Sequence, residues 1–66
     1  MLDIGFKTII EVMKKGSWLT DLEVATRARM KIDTALYYLR RLRRLGLVIS
    51  EWVHEQRVWG ATLCRT

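Results

Sequence analysis

The hydrophobic period of this chain changes once, at Gly46. Before that residue apolar side chains recur every three to four positions, and after it they alternate. A helix repeats about every 3.6 residues and a strand every two, so this switch separates a helical part from a β part. With 66 residues there is material for one domain, 1–66, and one small core. A chain of that size buries only about 60% of the surface its unfolded form exposes, which leaves no room for an enclosed active-site cleft.

The helical part divides into three. Over residues 2–15, Leu2, Phe6, Ile9, Ile10 and Met13 fall on one stripe, Lys14 and Lys15 suit the negative end of the helix dipole, and Gly16 is the stop. Ile4 falls off the stripe, either as an exposed apolar residue or as a dimer contact. Thr20-Asp21-Leu22-Glu23 spells a capping box that opens a short second helix with Val24, Ala25 and Ala28 facing inward. Ser17-Trp18-Leu19, between the two, leaves room for a single bridge of strand. The third helix runs from Lys31 or Ile32 to Leu45, with Ile32, Ala35, Leu36, Leu39 and Leu42 on one side and Gly46 as its stop. Its other side carries Asp33, Tyr37, Arg40, Arg41 and Arg44, with Thr34 on the edge. Tyr38 lies on the flank, near Leu42 and Leu45.

Beyond Gly46, residues 47–54 and 57–63 are rich in β-branched and aromatic side chains and read as two strands. Glu55-Gln56 would be the turn. It lacks the Gly or Asn of a tight hairpin, which predicts a loop wider than two residues. Trp18, Trp52 and Trp59 are assigned to core and hairpin packing, since a core this small needs bulk. The fold class is therefore mainly α with a small β part, three helices followed by a hairpin.

Several functions fall away on residue types alone. The single Cys64 forms no internal disulfide, which fits a reducing cytoplasm, and it reads as a small hydrophobe rather than a reactive thiol. One Cys with His54 supplies too few ligands for zinc. No apolar run approaches the roughly 18 residues of a membrane span. No nucleophile–base pair, carboxylate pair or glycine-rich phosphate loop is present. Neither an enzyme nor a cofactor or small-molecule ligand is expected.

Charge points elsewhere. The net charge is +5 and the isoelectric point about 10.0. Seven of the twelve basic residues (Arg27, Arg29, Lys31, Arg40, Arg41, Arg43 and Arg44) fall between positions 27 and 44, against Asp33 alone, so the remainder is slightly acidic. A basic third helix behind a short capped one is the arrangement that enters a DNA major groove. Arg presents a flat fork to guanine edges and phosphates. Tyr37 and Thr34 can donate to phosphate or meet a thymine methyl, and Asp33 either accepts from a cytosine amino group or caps the helix. Arg43, near the apolar flank, is expected to pack its stem under the hairpin.

The stretch Leu19-Thr20-x-x-Glu23-Val24-Ala25, followed by Met30-x-Ile32-x-x-Ala35-x-Tyr37-Tyr38-Leu39-x-x-Leu42-x-x-x-Gly46-Leu47-Val48, resembles the small regulators of fimbrial operons of the FaeA/PapI type. The paired tyrosines before Leu39 are its most specific element. The resemblance implies a winged helix-turn-helix fold, binding to double-stranded DNA in transcriptional control, and a place beside a larger regulatory protein. A homodimer is the other route by which a reader with one recognition helix gains specificity. Two positions depart from the pattern. The wing tip is Glu55-Gln56-Arg57 with His54 alongside, not basic and Gly-containing, so Arg57 is the wing's one firm phosphate candidate. Arg29 stands where a Gly often turns the chain between the second and third helices, so that turn must differ or carry left-handed strain. A slighter likeness joins Ile32-Asp33-x-x-Leu36-Tyr37 and Trp59 to winged-helix domains that bind Z-DNA. In those an Asn replaces Asp33 and prolines precede the Trp, whereas this chain has no Pro. The alternative to DNA binding is a winged-helix interaction module whose basic face docks on an acidic protein.

Overall fold

The computed structural model describes residues 4–15 and 18–62. Its elements in chain order are α1 (Ile4–Lys15), β1 (Leu19–Thr20), α2 (Asp21–Ala28), α3 (Ile32–Arg44), β2 (Val48–Val53) and β3 (Gln56–Ala61). The expectations placed on Leu2, Gly16, Ser17, Leu63 and Cys64 lie outside the described residues. Among those described, no helix is long and apolar enough to cross a membrane.

Thr20 ends one element and begins the next. Its backbone pairs with Val58 in the sheet, while its hydroxyl accepts the Glu23 N–H at 3.2 Å and its own N–H donates to Glu23 Oε1 at 2.9 Å. This is the capping box expected from sequence. In the segment before it Leu19 pairs with Trp59, the single bridge expected there. Two paired residues turn the hairpin into a three-stranded antiparallel sheet in the order β1-β3-β2.

Both inner helices end in the same way. After α3, Gly46 adopts φ 82°, its N–H reaches Arg43 O at 3.0 Å, and Leu47 N–H reaches Leu42 O at 2.9 Å. After α2, Arg29 takes that role at φ 58°, with Arg29 N–H to Thr26 O at 3.2 Å and Met30 N–H to Ala25 O at 3.0 Å. These are paired Schellman bonds, closed by Gly in one case and by a strained Arg in the other. The left-handed strain expected at Arg29 is present.

The core lies where the three helices meet the sheet. Phe6, Ile9 and Met13 of α1, Val24, Ala25 and Ala28 of α2, and Ala35, Leu39 and Leu42 of α3 are buried together with Leu19, Val48 and Trp59. The helix stripes therefore follow the apolar spacing, with three departures, of which Ile10 is partly buried against the core. Ile32, assigned inward, sits at the helix start and is substantially exposed, and Leu36 is only half-buried. Tyr38 does pack on the core, but against α1: its ring stacks on Phe6 at 5.8 Å, and a Cβ at Gly5 would stand 2.6 Å from its hydroxyl. Of the two neighbours expected for it, Leu42 is buried in that core and Leu45 is exposed. Ile4 is 83% exposed.

The hairpin corrects two expectations. Pairing runs unbroken from Val48↔Ala61 to Val53↔Gln56, so the turn is His54-Glu55 and only two residues long. Both residues have positive φ, 50° and 64°, which is what a two-residue hairpin turn of the I′ type demands. The ladder of six pairs, with Trp59 and Val48 on its buried face, holds a turn that its residues alone would not choose. Glu55→Gly is expected to stabilise the domain by about 1 kcal/mol, a rise of roughly 4–8 °C in a thermal melt followed by circular dichroism. The second correction concerns Trp52. Burial falls along β2 from Val48 to its tip, and Trp52, near that tip, is 71% exposed instead of packed. Trp18 is partly exposed as well, its ring lying flat where a Cβ at Gly60 would stand 2.8 Å away.

Candidate nucleic-acid interface

α3 presents its polar side to solvent because the opposite side is consumed by Ala35, Leu39 and Leu42. Asp33, Leu36, Tyr37, Arg40, Arg41 and Arg44 line one open groove of about 480 Å³. Five of the ten residues singled out in the sequence meet there. None of Arg40, Arg41 and Arg44 forms an ion pair among the described residues. Three guanidinium groups against one carboxylate give the groove a positive field that nothing nearby cancels.

Tyr37 and Arg41 are one turn apart and touch. The Arg41 Cζ lies 5.6 Å from the Tyr37 ring centroid, within cation–π range. Tyr37 in turn meets Tyr38 edge-on at 5.3 Å and 71°, and Tyr38 stacks on Phe6. A line of aromatic contacts thus connects the core to the Arg41 head group. Leu36, assigned to the core side, contributes the groove's apolar floor.

The other five candidates lie apart from it. Lys31 is the backbone N-cap of α3 and makes no side-chain capping bond, while Arg29 holds the left-handed turn just before it. Thr34 is exposed on the flank of α3. Asp33, by contrast, belongs to the groove: it stands in the first turn of α3, where its charge suits the dipole, and its carboxylate accepts no hydrogen bond among the described residues. Arg27 lines a separate cleft between α1 and α2 with Thr8, Glu11, Val12 and Lys15.

Arg57 is engaged within the fold. Its guanidinium lies 5.5 Å from the ring centroids of both Trp52 and Trp59, with Nε 3.9 Å from Asp21 Oδ1. Arg43 is also committed: Nη1 donates to Ser50 Oγ at 2.9 Å and Cζ lies 5.4 Å from the Trp59 ring. Its stem follows the hairpin as its place on the apolar flank implied. The residue that sequence reasoning undervalued is Asp21. Named there only within the capping-box stretch, it accepts the Trp59 indole N–H and faces Arg57, tying α2 to β3. Partners 36 and 38 positions away leave no local signal. No protein-family model and no curated protein matches the chain.

Proposed function

We propose that the chain is a cytoplasmic DNA-binding regulator that sets α3 in the major groove of duplex DNA. The observation that carries this reading is the unpaired cluster Arg40, Arg41 and Arg44 around Tyr37 on the exposed side of α3. Arg29 and Lys31 stand just before that helix, and on this reading their charges meet the flanking phosphates. The resemblance to the fimbrial-operon regulators supports the same reading and adds a larger regulatory protein or a second copy as a companion on DNA.

One observation favours a second reading, in which the basic face docks on an acidic protein. The wing offers no free cation, because Arg57 is held between two tryptophans beside Asp21, and Glu55 occupies the turn. A salt titration on random duplex separates the two. With about four to six of Arg27, Arg29, Lys31, Arg40, Arg41 and Arg44 on phosphates, log K falls against log salt with a slope of about −4 to −5. A slope flatter than about −1, or no duplex binding at about 50 mM salt, overturns DNA binding.

A further inference from the structure

A second open groove, of about 390 Å³, lies between the first turn of α2 and the hairpin tip. None of its lining residues belongs to the α3 groove. Its apolar walls are Leu22, 60% exposed, and Trp52, 71% exposed. Scattered apolar side chains on a surface need no explanation, but here two large ones border one groove.

Trp52 is also braced. The Arg57 guanidinium spans the Trp52 and Trp59 rings, Asp21 faces Arg57, and Asp21 accepts the indole N–H of the fully buried Trp59. The exposed ring is thus fixed to the core through one cation and one carboxylate. An aromatic anchor already held in place loses little freedom on binding.

The charges around it select the partner. Asp21 and Arg57 answer each other within the groove, which leaves exposed Glu55 as its uncompensated charge. Glu23 follows Leu22 on α2. In a chain of net charge +5 this rim is acidic, and it repels nucleic-acid phosphates and anionic lipid head groups alike.

We propose that the Leu22–Trp52 groove docks a protein segment that carries a large apolar side chain beside a Lys or Arg. The apolar side chain seats between Leu22 and Trp52, and the cation meets Glu55. The α3 face stays free, so this docking does not depend on what that face binds.

Selection of phage-displayed random peptides on the folded protein tests the idea. The enriched peptides are expected to combine a Leu, Met or aromatic residue with Lys or Arg. As synthetic peptides, they are expected to shift the tryptophan emission of the wild-type protein to the blue. Leu22→Ser and Trp52→Ser each weaken peptide binding at least about 30-fold, read by calorimetry. Both side chains are exposed, so the variants keep their fold, which circular dichroism checks. Glu55→Lys, at the solvent-exposed turn, weakens binding about tenfold. The proposal is overturned if no peptide family is enriched, if the enriched peptides are acidic, or if their binding ignores all three substitutions. Duplex titration of the same variants reads the α3 face separately, so failure at one surface is distinguishable from failure at the other.

Discussion

Trp59→Ala is expected to leave the domain unfolded at physiological temperature. Trp59 is the largest fully buried side chain, and its loss costs about 3–5 kcal/mol through the cavity alone. A 66-residue domain has roughly 3–10 kcal/mol in total. The substitution also removes the indole donor from Asp21 and the ring on which Arg43 and Arg57 rest. Far-ultraviolet circular dichroism during urea titration measures this directly. Trp59→Phe is the informative contrast, because it keeps a buried ring and deletes the N–H. It is expected to cost about 1–2 kcal/mol, mostly from leaving a part-buried carboxylate short of its donor. Equal losses in the two variants would show that the hydrogen bond, not the volume, holds α2 to the sheet.

The second large effect concerns DNA affinity. Arg41→Ala is expected to weaken duplex binding by about 1–3 kcal/mol at a selected site, with little change in melting temperature, because the side chain is exposed. Arg41→Lys recovers only part of this, since an ammonium cannot make the paired contact of a guanidinium. Tyr37→Phe preserves the ring against which Arg41 rests and is expected to retain more affinity than Tyr37→Ala. Arg40→Ala and Arg44→Ala each lower the salt slope by about one unit on every sequence tested. Unchanged affinity in all of these variants would move the α3 face to the acidic-protein reading.

The helices were legible in the sequence because their information is local. A stripe at helical spacing, a Thr with a Glu three residues on, and a Gly after Leu45 each act within a turn or two of chain. The polar side of α3 followed from the same spacing, which is why Tyr37, Arg40, Arg41 and Arg44 fall together. The hairpin was legible in kind but not in register. Register depends on six cross-strand pairs and a buried Trp59, and their combined weight overrode the turn preference of His54 and Glu55. Arg57 illustrates the other limit. Nothing adjacent in sequence shows that Asp21 lies beside it, so a residue read as a free wing cation is an internal brace. Trp52 was misassigned because alternation places it on the inner face of the sheet without revealing how far the core extends along the strand.

The close approach of Trp18 to Gly60 limits how this sequence can drift over generations. Any side chain at position 60 meets the indole at 2.8 Å, and any at position 5 meets the Tyr38 ring and hydroxyl, the hydroxyl at 2.6 Å. Neither glycine can gain a side chain unless its aromatic neighbour shifts, and removing that neighbour first bares the backbone it covers. Changes at positions 60 and 5 are therefore coupled to those at 18 and 38, with the double change milder than the sum of its parts. Among descendants of this chain, a larger residue at position 60 would be accompanied by a smaller one at position 18.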